Sequence, residues 1–235
     1  MSLILAIETS SELASCALLS GDSVSARESS GVRTHSASVL PMAQELLAEA
    51  GVTLAQVDAI AFGSGPGSFT GVRTACGVAQ GLAFGAGLPV VPVVTLPAMA
   101  LACQQRTGAT DVLVVLDARM GEVYWAQYRI VDGRWTTVME PALSAPGAVA
   151  PVEVAGLAAC GNGFAAYPDA LSDRPFAVDA HADILPHARQ IAQLAAIEFA
   201  AGRTVTAAQA QPLYLRNKVA YTSAERQAIN ARDAA

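Results

Sequence analysis

Eleven residues, Ala61-Phe-Gly-Ser-Gly-Pro-Gly-Ser-Phe-Thr-Gly71, constrain this chain more than any other stretch, because they join an apolar strand to a helix through a glycine-rich loop. Asp58–Phe62 reads as a short buried strand, and from Val72 onward Ala75, Ala79, Leu82 and Ala83 recur at helical spacing. Gly63, Gly65 and Gly67 permit backbone angles that other residues resist. With Ser68, Thr70 and Gly71 they form a loop whose N–H groups, opening a helix, can hold an anion or a partner's carbonyls. The next strand, Val90–Val94, completes a strand-helix-strand crossover and implies parallel pairing.

Counting excludes the two familiar phosphate loops. A P-loop needs a lysine just after its last glycine, and the chain's only lysine is Lys218. The dinucleotide fingerprint needs a third glycine three residues after the second, where this chain has Thr70, with Gly71 one place late. Two uses of the loop stay open: binding, or a tight turn that packs a helix closely on its strand.

The flanking sequence falls into two similar halves. Leu3–Ile7, Ala14–Leu19 and Ser23–Glu28 read as a three-stranded meander, followed by a helix over about Ser36–Ala50 with a wide apolar stripe and Pro41 just past its first turn. After the crossover and a helix over Thr95–Gln105, a second meander begins with Val112–Leu116, Glu122–Ile130 and Trp135–Met139. Pro141, Pro146 and Pro151 mark a connection, Leu157–Gly163 a strand ending in a glycine turn, and Ile184–Ala201 a helix. Two such halves facing one another enclose a cleft, the usual place for a small ligand.

At 235 residues, 53% of them hydrophobic and 14% charged, the chain can bury a sizeable core. Charges or glycines interrupt every apolar run before the length of a membrane span, and the N-terminus lacks signal-peptide features, so no membrane association and a cytoplasmic location are expected. Cys16, Cys76, Cys103 and Cys160 form no C-x-x-C pair, and His35, His181 and His187 are too far apart for a helical two-histidine site, so no metal site is expected. The net charge of −6 argues against a chain that grips RNA alone, although Arg216, Lys218, Arg226 and Arg232 gather near the end. Arg73 stands in the opening turn of the glycine-loop helix, where a cation is poorly placed unless it makes a contact. Tyr124 and Trp125 alternate along a strand, which predicts one in the core and the other at the surface or in a groove.

The chain resembles the bacterial TsaB (YeaZ) family of tRNA threonylcarbamoyladenosine biosynthesis proteins, within the actin, sugar kinase and Hsp70 superfamily. The carriers are Ile4-Leu-Ala-Ile-Glu-Thr-Ser10, His35-Ser36 with Leu40-Pro-Met42, Gly63–Arg73, Asp117-Ala-Arg-Met-Gly-Glu-Val-Tyr124 and Pro212-Leu-Tyr-Leu-Arg216. Glu8 stands where many members are expected to have aspartate. The resemblance implies an α/β fold of two related actin-like, RNase H-like domains, each a mixed sheet with a three-stranded meander and helices. The division expected is 1–107, joined by 210–235, and 108–209.

The resemblance also implies a non-catalytic subunit that supports a TsaD-type catalytic relative together with a TsaE-type ATPase, meeting tRNA only through the complex and forming a homodimer when alone. In Val93–Ala102 no histidine stands where the catalytic relative is expected to carry its metal pair. The expected partner face is His35, Val39, Leu40, Leu46 and Leu47 on the first helix with Arg73, Gly77 and Gly81 on the second. No cofactor is required, and weak ATP or ADP binding is left to a cleft formed by Glu8, Thr9, Ser10, Asp117, Gly161, Asn162 and Gly163. Two rivals are a free-standing ATPase or sugar kinase of the same superfamily and a glycoprotease-type metallopeptidase. The first lacks a lysine near these turns, and the second lacks H-E-x-x-H.

Overall fold

The computed structural model describes residues 2–30, 35–132 and 134–216. The basic residues Lys218, Arg226 and Arg232 lie outside them. Strands β1 (Leu3–Glu8), β2 (Leu13–Ser20) and β3 (Ser23–Ser30) form the first meander, and helix α1 (His35–Glu49) follows. Strand β4 (Ala59–Gly65), helix α2 (Phe69–Ala86), strand β5 (Val90–Val94) and helix α3 (Thr95–Thr107) complete the first half of the chain. The sheet has the order β3-β2-β1-β4-β5, antiparallel within the meander and parallel from β1 to β5.

The second half repeats the scheme with β6 (Asp111–Arg119), β7 (Glu122–Val131) and β8 (Arg134–Ser144), then β9 (Leu157–Cys160) parallel to β6, in the order β8-β7-β6-β9. Short helices α4 (Gly163–Ala166) and α5 (Pro168–Leu171) lead to α6 (Ala188–Ala200). The fold is thus α/β with two mixed sheets, each begun by a meander.

Alternation along the strands buries both faces of each sheet. In the first, Leu5, Ile7, Cys16, Leu18, Ile60 and Phe62 face α1 and α2. Ile4, Ala6, Ala17, Ala59 and Ala61 face the other way, where the four alanines let Ile191, Ala192 and Ala195 of α6 lie close. Chain order would place α6 with the second half, and α3 with the first. Packing exchanges them, because Leu96, Met99, Ala100 and Cys103 of α3 cover Val112, Val114 and Leu116 of the second sheet.

Three sequence expectations are corrected here. Tyr124 and Trp125 point to opposite faces, but both are buried, Tyr124 under α3 and Trp125 against Phe164 and Leu171. Strand β8 runs on through Pro141 to Ser144, which an edge strand allows because one side of it needs no partner. Helix α6 starts at Ala188 rather than Ile184, since Pro186 biases Leu185 away from helical angles, and the His187 ring caps it by accepting from Arg189 N at 3.0 Å.

Candidate functional site

The glycine loop is explained by what it touches. A Cβ on Gly63 would stand 1.8 Å from Glu8 Oε2, one on Gly67 2.5 Å from the Ser10 carbonyl, and one on Gly71 1.9 Å from the Thr9 carbonyl. The first turn of the chain is pressed backbone to backbone against the start of α2. Ser68 N donates to Ser10 O at 2.6 Å, Val72 N to Ser68 O at 2.9 Å, and Gly71 N to Ser68 Oγ at 3.4 Å. Thr9 Oγ1 donates to Gly71 O at 2.7 Å, and Gly65 N donates to Thr95 Oγ1 at 3.2 Å. Of the two uses open to this loop, close packing is what these contacts serve, and several of its N–H groups are already committed within the chain. Thr70 lies at the surface, its carbonyl accepting from Thr74 Oγ1.

Glu8, expected in a nucleotide cleft, is sealed with Thr9 beneath the loop, both fully buried. Its carboxylate takes Ser10 N at 2.5 Å and meets Thr95 Oγ1 at 3.5 Å, yet burial outweighs these bonds and pushes its pKa above the ordinary carboxylate value. Gly161 and Gly163 also serve close packing, since Cβ atoms there would lie 2.2 Å from the Val115 carbonyl and 2.7 Å from its Cγ1. Asp117 and Asn162 do face the space between the halves, as does Ser10.

That space is a cavity of about 330 Å³ bordered by Ser10, Phe69, Asp117, Arg119, Asn162 and Tyr214. Asp117 is held by Tyr167 Oη and Arg119 N, each donating at 2.8 Å, with Arg119 Nη1 at 3.2 Å. Burial, followed by this carboxylate, raises the Tyr167 phenol to about 12. Asn162 Nδ2 spans the cleft to both Glu12 oxygens at 3.2 Å, while Asn162 Oδ1 accepts from Asp117 N at 2.9 Å. Every acid near the cavity thus has a partner from the chain itself. Among the described residues no three His, Cys, Asp or Glu side chains gather where they can hold a metal, and no helix is long and apolar enough to cross a membrane.

The expected partner face divides. His35, Val39 and Leu46 are buried within this chain, His35 with Nε2 3.2 Å from Glu12 O and Leu46 1% exposed in the core, so they form no part of its outer surface. Leu40, 43% exposed, and the half-buried Leu47 remain near the surface of α1. On α2 the exposed stripe is Arg73, Gly77, Gly81 and Gly85, where a Cβ on any of the three glycines would meet nothing within 4 Å. Phe84, 84% exposed, extends it and was missed by sequence reasoning, although its helical spacing from Gly77 and Gly81 was there to be read. Arg73 finds its contact within the chain. Its guanidinium lies 3.5 Å from the centre of the Phe69 ring, and its Nε donates to Tyr214 Oη at 2.8 Å.

Comparison with known proteins agrees with this architecture. Residues 22–229 match the family model for TsaD, tRNA N6-adenosine threonylcarbamoyltransferase. The chain is 41% identical to the tRNA threonylcarbamoyladenosine biosynthesis protein TsaB of Escherichia coli, over 93% of this chain and 96% of that one. Against TsaB of Haemophilus influenzae the identity is 39%, over 93% and 95%. The solved structure of YeaZ from Pseudomonas aeruginosa superposes with a TM-score of 0.84 at 42% identity, covering 92% of this chain and all of that one. Another solved chain, described as similar to the peptidase YeaZ from Pseudomonas aeruginosa, gives 0.85 at the same identity and coverage.

Proposed function

The chain belongs to the TsaB (YeaZ) family of tRNA threonylcarbamoyladenosine biosynthesis proteins, and on that premise we propose that it is a non-catalytic subunit which binds and supports a TsaD-type catalytic relative. A TsaE-type ATPase completes the assembly in the cytoplasm, and tRNA reaches this subunit only through the complex. The observation that carries the reading is the outer face of α1 and α2. Phe84 stands exposed beside a stripe of glycines without side chains on α2, and Leu40 is exposed on α1, a surface onto which another helix can settle closely. Alone, the chain pairs with itself through the same face, presented once by each copy as a symmetric dimer requires.

No cofactor of its own is required in this reading, and the cleft takes ATP or ADP only weakly. Glu8 is walled off from any phosphate, and Asp117 is engaged by Arg119 and Tyr167. Phosphoryl transfer needs a magnesium site and placed cations, and peptide hydrolysis of the glycoprotease type needs metal ligands.

Gly81→Glu and Phe84→Glu test the face without disturbing the core. Each is expected to weaken binding to the TsaD-type relative and self-association at least tenfold by sedimentation or calorimetry, with an unchanged circular dichroism spectrum. Leu46→Glu is unsuitable, since a charge there would enter the core. Folded variants that bind with unchanged affinity would move the interface elsewhere. One tightly held transition metal per purified chain, or peptidase activity, would overturn the non-catalytic reading.

A further inference from the structure

We infer that residues Ala210–Arg216 act as a relay, carrying the state of the outer face of α2 across the cleft to the hairpin between β6 and β7. The segment has one residue in each core. Ala210 is buried in the cluster beneath α1 and α2, and its carbonyl accepts from Gln80 Nε2 at 2.9 Å. Leu215 packs against the cluster between α3 and the second sheet. Between them, Leu213 N donates to Ser64 O at 2.7 Å, fixing the segment to the end of β4.

Two side chains then face opposite halves only two residues apart. Tyr214 reaches the exposed stripe of α2, where its hydroxyl accepts from Arg73 Nε and its ring lies 6.0 Å from that of Phe69. Arg216 reaches the other half, with a side chain nine-tenths buried. Its Nη2 donates to the Arg119 carbonyl at 3.1 Å and to Glu122 Oε2, clamping both ends of the turn from β6 into β7. Only Leu215 separates the two, so a displacement of the backbone at Tyr214 reaches Arg216 through two planar peptide units.

The hairpin is an element able to respond. Arg119 and Met120 have φ of 62° and 59°, in the left-handed region that non-glycine residues resist. Arg216 holds that tip, and the tip positions Arg119 against Asp117 at the cavity wall. A second tie, Asn162 to Glu12, crosses the same cleft without touching α2 and serves as an internal control. Coupling between separated positions requires an element with two arrangements that both positions bias. In the relay that role falls to the hairpin tip, where Arg119 leaves the regular β6–β7 register in a left-handed conformation. Its physiological use, reporting partner occupancy of α2, rests on the proposed docking face, but the relay is a property of the isolated chain.

Amide hydrogen exchange on the full-length protein, read by mass spectrometry over residues 119–122, tests it without a partner. Arg73→Ala is expected to speed exchange of the hairpin at least threefold, and Tyr214→Phe, which removes only the hydroxyl, to do so by a smaller factor in the same direction. Arg216→Ala is expected to speed it more, and adding Arg73→Ala to that background to change nothing further. Gly81→Glu alone should leave the hairpin unaltered. If Arg73→Ala and Tyr214→Phe both leave hairpin exchange at the wild-type rate, or if Arg73→Ala multiplies the effect of Arg216→Ala, the relay is wrong. Should Arg73→Ala unfold the protein, Tyr214→Phe decides alone. Adding the TsaD-type relative is a separate arm. Protection of the hairpin in wild type but not in Arg216→Ala supports its use in reporting occupancy. Failure of the relative to bind at α2 would sink the docking proposal and leave the partner-free coupling standing.

Discussion

Glu8 closes β1 and Asp117 lies near the end of β6, corresponding places in the two halves, yet one acid is walled in and the other faces a cavity. The difference lies in the glycine loop. In the first half, Gly63, Gly67 and Gly71 bring α2 down on the Glu8 turn until no side chain fits between them. In the second half, glycines 161 and 163 press against Val115, two residues earlier along the strand, and leave Asp117 beyond the contact. One architecture, begun twice, therefore yields a sealed turn and an open one. What separates them is where close backbone contact falls relative to the acid.

The comparison breaks first at Gly63. Gly63→Ala puts a methyl on the Glu8 carboxylate, and a loss of about 3 kcal/mol or more is expected in urea unfolding, as for severe overpacking. Combining it with Glu8→Ala should recover a large part of that loss, a non-additivity that marks the two groups as one contact. Additive effects would mean that the turn is not sealed by this pair.

A smaller effect is expected at the open turn. Asn162→Ala removes the acceptor of Asp117 N and the donor to Glu12, leaving a part-buried amide unpaired, and should cost about 1–2 kcal/mol. The same substitution should also speed exchange of the Asp117 amide, which loses its acceptor.

The pH dependence of the sealed turn is sharper than its size. Because the folded Glu8 holds its proton above the ordinary carboxylate value, the unfolded chain releases that proton first as pH rises. Its contribution therefore turns against folding above about pH 4.5, and continues to do so until the raised folded value is passed. Glu8→Gln, which keeps an acceptor for Ser10 N, should be at least as stable as wild type at neutral pH and lose this slope. Denaturation midpoints between pH 4 and 8 check it. A parallel pair of profiles would show that Glu8 ionises freely.

The last effect is spectroscopic. Asp117→Asn removes the charge beside Tyr167, so its phenol should titrate below about 12 while staying above the ordinary tyrosine value, because burial is the larger cause and persists. Absorbance at alkaline pH reads this directly. An unchanged titration would mean that burial alone sets the phenol.

Much of the architecture was legible because it is local. The Val90–Val94 strand has the same residues in both descriptions, and both meanders follow from alternation and turn chemistry. Helix exchange was not legible, since the apolar stripe of α6 says that a face is buried without saying against which sheet. The surroundings of the site were hard to read for a related reason. Arg73 signalled a contact, but its partner Tyr214 is 141 positions away, and Asn162 meets Glu12 across 150. Val39 and Leu46 looked like surplus apolar surface, but both are buried in the core that α1 forms with β2.

The late position of α6 bears on the order in which the chain can mature during synthesis. All five strands of the first sheet have been made by Val94, but the face formed by Ile4, Ala6, Ala17, Ala59 and Ala61 gains most of its cover only when translation reaches Ala200. At roughly 5–20 residues per second, the intervening chain leaves much of that apolar face uncovered for about 5–20 s. Throughout that interval the nascent first half carries a surface that chaperones can hold and that neighbouring nascent chains can adhere to. A ribosome stalled before α6 would release an aggregation-prone fragment rather than a working half.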